Sequence, residues 1–418
     1  MRVAVVGAGL SGLSAAIELS KSCETVVFER KSYVGGTVAT YPTLADPVER
    51  YYHHCFLGDD ALLALLDELN LRSALRWRLA GVGYMHAGRV YPMNTPLEIL
   101  RFPTLSLRDI LRIAAFVLTA RRATPEPLDD VACIPYLVER VGERAYHAFF
   151  APLLERKFGK RADEVSAAWL LTRIALRSHR TLRGERLGYL DGGFGRLLDE
   201  MVRCIRSRGG VIRTSSPVEH ISPVDGGVEL SVGDRRERFD AVVCTSPSLL
   251  RTLGIGTSIS YQGSVCVLVA LKRRLLNGIY WLNMDEDAPF GAMIEHTNLI
   301  PKERYGHHLV YLTSYHEHDE PEMTLQEHEI AERYVEALRS LFPLGREDVL
   351  WSRVQRDAFT SPVYDVGYLR KVVPYSTPVE GVYAAGVFSP HNYPERSMNG
   401  SIAAGKMAAH TLLREQAP

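Results

Sequence analysis

Net charge is the first thing this chain does without. Its 49 Lys and Arg are matched by 49 Asp and Glu, so it lacks the basic field that grips a nucleic-acid backbone, and nucleic acid is not an expected partner. Paired cysteines are lacking too. Cys23, Cys55, Cys133, Cys204, Cys244 and Cys266 are scattered with no C-x-x-C among them. That argues against a zinc site or a disulfide framework, and for thiols kept reduced in a cytoplasmic setting. No apolar run reaches the roughly 20 residues that span a bilayer. The N-terminus superficially looks like a secretory leader, but a glycine pattern in the same stretch accounts for it better. What remains, 46% hydrophobic and 23% charged over 418 residues, is an ordinary globular composition, long enough for two interleaved domains.

The glycine pattern is the most informative stretch. Arg2–Val6 is a short apolar run readable as a buried parallel strand. Gly7, Gly9 and Gly12 follow as G-x-G-x-x-G and open a helix through Leu10 and Ser11 to about Lys21. Thr25–Phe28 reads as a second strand, ending at Glu29 and Arg30. The three glycines do different things. Gly7 makes the tight turn, Gly9 lets the backbone approach a pyrophosphate, and Gly12 lets helix and strand touch. The helix N-terminus faces the negative charge, and Glu29 stands at the distance of a ribose acceptor. Strand, helix, strand and acid in this order point to dinucleotide binding.

Gly35-Gly36-Thr37 comes six residues beyond Glu29. This arrangement resembles the start of flavoproteins of the amine oxidase and protoporphyrinogen oxidase superfamily, in which a second glycine pair passes the diphosphate and ribityl chain. Two later blocks carry the same resemblance. Leu187–Phe194, a helix from Gly195, Gly209-Gly210 and the strand Val211–Arg213 lead to Val218, which the resemblance gives the role of holding adenine by its backbone. Gly381–Gly386 is a strand and glycine, and Met398-Asn399-Gly400-Ser401-Ile402 opens a final helix. The resemblance aims that helix start at the flavin pyrimidine, where backbone amides stabilise the charge of reduced flavin. An acid often follows the late glycine in this superfamily; here Val387 follows Gly386.

The implied fold is α/β, a Rossmann-like FAD-binding domain interleaved with a substrate domain of mixed sheet and helices. Residues 1–56, 183–255 and 365–418 are assigned to the FAD domain, 57–182 to a helical cap and 256–364 to the substrate sheet. Ser106–Arg122 is the most apolar helix, with arginines at both ends. Burial in the core is the expected reading, and a peripheral membrane contact is the less favoured one.

His53 and His54, in Tyr51–Phe56, are adjacent and so cannot both face one metal from a strand; no metal is expected there. In flavoproteins of this type the segment runs beside the isoalloxazine, which makes the two histidines the acid/base candidates. The segment also looks like the flavin-adjacent histidine region of UDP-galactopyranose mutase. Arg173 and Arg177 look like that family's paired arginines, and Tyr393 falls near its diphosphate-binding tyrosine. Tyr311 and Tyr315 are further candidates to line a substrate pocket. Ala292 and Val387 stand where the mutase carries arginines, and Gly263–Val267 lacks the lysine common in amine oxidases. No second G-x-G-x-x-G exists for an NADPH domain, and nothing resembles a covalent flavin attachment site. The expectation is a cytoplasmic enzyme with non-covalent FAD that takes a hydride from a C–H bond of a small organic substrate. A nucleotide-linked or phosphorylated substrate stays open, as does a redox-neutral mutase, and an external electron acceptor is implied.

Overall fold

Apolar runs punctuated by glycine turns build two sheets, with helices filling the space between and around them. The computed structural model describes residues 1–42, 46–120, 122–176 and 185–416. It begins with β1 (Arg2–Val6), α1 (Leu10–Leu19) and β2 (Glu24–Phe28), and short β3 (Thr40–Tyr41) and β4 (Val48–Glu49) lead to α2 (Asp60–Glu68). The hairpin β5 (Leu75–His86) and β6 (Arg89–Pro92) follows. Its turn, Ala87-Gly88, has positive φ at both residues, as a tight hairpin requires. Helices α3 (Pro96–Leu100), α4 (Leu107–Ala120), α5 (Cys133–Val141), α6 (Glu143–Ala145), α7 (Ala151–Phe158) and α8 (Ala167–Leu176) come next. The chain returns through β7 (Glu185–Leu190), α9 (Gly195–Ser207), β8 (Val211–Arg213), β9 (Val218–Val224), β10 (Gly227–Val232), β11 (Arg235–Phe239), β12 (Ala241–Cys244) and α10 (Pro247–Thr252). It ends with β13 (Tyr261–Leu271), β14 (Ile279–Asp285), β15 (Ala292–Glu295), β16 (His308–His316), α11 (Glu327–Leu341), β17 (Val349–Pro362), β18 (Val382–Ala384) and α12 (Met398–Glu415).

The first sheet is parallel, in the order β18-β12-β1-β2-β8. Val5 lies between Val27 and Val243 and all three are fully buried, which is why β1 reads as an unbroken apolar run. Helices α1 and α12 cover one face together. They meet at Gly405, where any side chain would collide with the Ser11 carbonyl. At 1.5 Å of rise per residue, that contact lies about 10 Å along α12 from its first residue.

The second sheet is mixed, in the order β17-β13-β16-β15-β14-β5-β6, with β7 paired to β5. The pair β14 and β5 is parallel, and the other pairings are antiparallel. All of β13 is buried, so its side chains pack on both faces of the sheet.

One expectation fails here. Helix α4 is not a core helix: Leu107 is 62% exposed, and Leu111 and Leu118 are each 61% exposed. Its buried side is Asp109, Phe116 and Ala120. Asp109 accepts from the Ser106 amide and pairs with Arg144, which satisfies a carboxylate that would otherwise oppose burial. The helix is apolar on two sides, and only one meets protein.

Candidate functional site

The two glycine turns converge. The Gly35 amide donates to the Ala8 carbonyl at 2.7 Å, and Gly9 and Gly35 form an isolated parallel bridge. Gly7 and Gly35 have φ of +99° and +112°, conformations only glycine adopts readily. A Cβ on Gly12 would overlap the Gly7 carbonyl oxygen, while one on Gly9 would meet nothing nearer than the Gly36 Cα at 3.9 Å. Gly12 is thus required by the fold, whereas Gly9 leaves an opening beside the N-terminus of α1.

Leu10 and Ser11 form the first turn of α1. The buried Glu29 carboxylate accepts from the Ala8 and Lys31 amides at 2.8 and 2.9 Å, which holds it at the rim of the opening. Arg30 points outward, 69% exposed and 3.9 Å from Asp357. Thr37 is exposed at the far side of the second turn. The Ser216 amide donates to the Glu29 carbonyl at 2.9 Å, which brings Val218, two residues on, to the same edge.

The C-terminal block closes the other end. Gly386 follows β18; its amide donates to Ser389 Oγ and its carbonyl accepts from Asn392 Nδ2. Val387 turns into an apolar cluster. Ser397 caps α12 by accepting from the Gly400 amide at 2.8 Å, and the Ser401 amide donates to the Ser397 carbonyl at 3.0 Å. Those two amides are used, and Ile402 lies beyond the first turn, so Met398 and Asn399 are the donors that the helix start leaves for a ligand. The Asn399 side chain is engaged elsewhere, capping α2 by accepting from the Ala61 and Leu62 amides at 2.7 and 3.1 Å.

His53 and His54 lie between β4 and α2, His53 near Arg396 of the turn before α12. His53 Nδ1 lies 2.8 Å from the Tyr51 carbonyl and so carries the proton, leaving Nε2 as an acceptor. Burial, with Arg396 nearby, pushes the His53 imidazole down to about 4. It is neutral at working pH and does not titrate there, contrary to the reason for which it was singled out. His54 Nδ1 lies 3.2 Å from the Tyr280 hydroxyl, and its ring sits edge-on to Phe56, Tyr280 and Trp281.

The substrate candidates divide. Arg173 and Tyr315 come together around Arg396, which also stands near His53. Tyr311 does not join them: it is fully buried and donates to the Glu49 carbonyl at 2.6 Å. Tyr393 does not either, since its hydroxyl donates to Asp129 at 2.9 Å and its ring stacks on Tyr368. Arg177 lies outside the described residues.

Four residues that the sequence did not single out complete the group around Arg173 and Tyr315. Glu395 Oε2 accepts from Trp169 Nε1 at 2.5 Å and lies 3.5 Å from Lys157 Nζ and 3.7 Å from Arg173 Nε. Arg396 Nη2 donates to the Tyr315 hydroxyl at 3.2 Å. Burial draws the Lys157 ammonium below the ordinary lysine value, against the pull of Glu395. Burial works to raise the Tyr315 phenol, but Arg396, Lys157 and Arg173 outweigh it and hold the phenol below its ordinary value. Elsewhere His316, Glu320 and Glu322 stand close enough to share an ion. Ser314, Tyr334 and Arg333 already partner them.

The profile of the flavin containing amine oxidoreductase family matches residues 10–413. The chain is similar to the carotenoid phi-ring synthase of Streptomyces griseus, 29% identical over 269 residues that make up 58% of this chain and 51% of that protein. It is also similar to the 15-cis-phytoene desaturase of Synechococcus elongatus, 27% identical over 239 residues, 52% and 50% of the two chains. The chain therefore spans about half the length of each of these curated relatives. In fold it resembles reduced UDP-galactopyranose mutase, with a TM-score of 0.74 at 16% identity over 100% of this chain and 94% of the other. The second glycine turn, the acid at the end of β2 and the start of the closing helix lie within a match of nearly full length, and the chain belongs to the flavin containing amine oxidoreductase family.

Proposed function

We propose that the chain is an FAD-dependent oxidoreductase that holds its cofactor non-covalently and takes a hydride from a C–H bond of a small organic substrate, passing the electrons to an external acceptor. The observation that carries this is the convergence of the two glycine turns, with the Gly35 amide on the Ala8 carbonyl, Gly9 bridged to Gly35 and the Glu29 carboxylate held by the Ala8 amide. Gly7, Gly9 and the first turn of α1 would hold the diphosphate, Glu29 the ribose, Val218 the adenine, and Gly35, Gly36 and Thr37 the chain beyond. Gly386, Met398 and Asn399 would face the ring end. FAD, when bound there, supplies the hydride-accepting chemistry.

The protein's own contribution is orientation, charge and exclusion of water. The Met398 and Asn399 amides stabilise negative charge at the helix start. His53 offers Nε2 as an acceptor for a substrate O–H or N–H, and the aromatic walls of Tyr52 and Trp281 keep that side dry. Anaerobic mixing of the holoenzyme with substrate candidates tests the reading. Substrate-dependent bleaching of the flavin absorbance supports it, and turnover only by pre-reduced enzyme with unchanged flavin points instead to a redox-neutral isomerase.

The face of α4 supports a lipid surface as a partner. Leu107, Leu111, Ala114 and Leu118 form one outward stripe at helical spacing, and exposed Leu97 and Leu100 of α3 extend it. Exposed Arg101, Arg108, Arg112 and Arg122 flank the stripe, which suits anionic headgroups. A largely apolar cavity of about 240 Å³, lined by Phe56, Ala123, Pro125, Leu171 and Ala175, lies beyond the end of α4. Helix α8 supplies one wall of that cavity through Leu171, Thr172 and Ala175.

A further inference from the structure

The charge around Glu395 does not balance. Lys157 from α7, Arg173 from α8 and Arg396 from the turn before α12 surround one carboxylate. The Lys157 and Glu395 side chains are 13% and 6% exposed. Arg396 Nε is buried and has no hydrogen-bond partner. A charged donor left unpaired inside a protein is costly, and three cations on one anion leave at least one positive charge uncompensated. No further carboxylate is paired with these cations among the described residues. His53 is neutral and cannot compensate them. The Tyr315 phenol is the neighbour best placed to carry negative charge, and it already accepts from Arg396 Nη2.

An arginine with a free Nε edge matches a planar or tetrahedral oxyanion. The walls of the place are aromatic: Lys157 Nζ stands 4.8 Å from the Trp169 ring centroid and 5.5 Å from that of Tyr315. Arg396 immediately precedes Ser397, the cap of the helix whose start faces the proposed flavin ring. With a flavin bound at that helix start, Arg396 would be one residue from the cap that holds the ring end. We propose that Arg396, Lys157 and Arg173 form an oxyanion subsite, and that the substrate carries a carboxylate or phosphoryl group. The inference rests on the flavoenzyme reading for its role in catalysis, while the binding itself does not.

Such a site is foreign to a substrate that is hydrocarbon throughout.

The test is a titration of the purified protein with benzoate, inorganic pyrophosphate and, as the uncharged control, benzamide, followed by thermal shift and by the flavin spectrum. The expected result is a saturable rise in Tm with at least one of the anions and none with benzamide. Arg396→Gln and Lys157→Gln should each weaken anion binding at least tenfold. Arg396→Lys should retain part of it, and Tyr315→Phe should leave it largely intact. If Arg396→Gln does not fold, Lys157→Gln carries the comparison. Preference for benzoate over pyrophosphate, or the reverse, separates carboxylate from phosphoryl substrates. Three results overturn the inference: no anion raises Tm, benzamide matches benzoate, or the ligand-free protein shows tyrosinate absorbance that Tyr315→Phe removes. A Tm rise in protein that takes up no flavin would keep the subsite and end the flavoenzyme reading. Flavin uptake without any anion response would do the opposite.

Discussion

Gly9→Ala separates a glycine kept for the ligand from one kept for the fold. The native backbone at Gly9 has φ −77° and ψ −179°, which alanine adopts without strain. The added Cβ would meet only the Gly36 Cα at 3.9 Å, an ordinary van der Waals contact. Restricting the unfolded chain favours the variant by about 0.4–1 kcal/mol. Alanine is a poorer N-cap than glycine by a comparable amount. The two terms nearly cancel, so the apoprotein should keep its stability to within about 1 kcal/mol. The same methyl would fill the space a diphosphate needs, at a cost of roughly 1.5–3 kcal/mol, a loss of affinity of about 10- to 150-fold. Urea unfolding of the apoprotein and quenching of FAD fluorescence on titration measure the two quantities. Unaltered FAD affinity in Gly9→Ala would refute the placement of the diphosphate. By contrast, Gly12→Ala should lose stability outright, because its methyl meets the Gly7 carbonyl.

Glu49 sets a pH dependence. Burial, working against hydrogen bonds from Tyr189 and Phe194, raises its carboxyl from 4.5 to about 7. The folded protein holds a proton that the unfolded chain releases above pH 4.5, so this contribution is whole below pH 4.5, falls away up to about pH 7 and stays lost above it. It amounts to roughly 3 kcal/mol, and the pH slope of wild-type stability minus that of Glu49→Gln should show it; equal slopes would exclude it. On α4, Leu107→Ser, Leu111→Ser and Leu118→Ser combined should cut co-sedimentation with anionic vesicles by at least 100-fold, from roughly 1 kcal/mol per exposed leucine. Binding unaffected by the triple change would remove the lipid reading.

Much of the cofactor half was legible because its signals are local. The strand β1, the turn at Gly7 and the opening of α1 lie within a dozen residues, where periodicity and glycine chemistry speak directly. The substrate half was not. Lys157, Trp169 and Arg396 come from α7, α8 and the turn before α12, and no local pattern ties them to one another or to Tyr315 on β16. The one available hint was Glu395-Arg396, a charged pair set against a helix cap. For α4 the 3.6-residue period was plain, but period alone does not tell which of two apolar sides is buried. That was decided by Asp109, whose bonds to Ser106 and Arg144 anchor its own side. Tyr393 illustrates the converse, a position matched by resemblance whose hydroxyl is already committed to Asp129.

Everything proposed for the chemistry requires a single cofactor held by the two glycine turns, with its ring end at the start of α12. The most direct measurement of it is the absorbance spectrum of the purified protein, followed by quantitation of flavin released on denaturation. The expected result is a yellow protein that releases about one FAD per chain without proteolysis. A protein that stays colourless after incubation with FAD would contradict it.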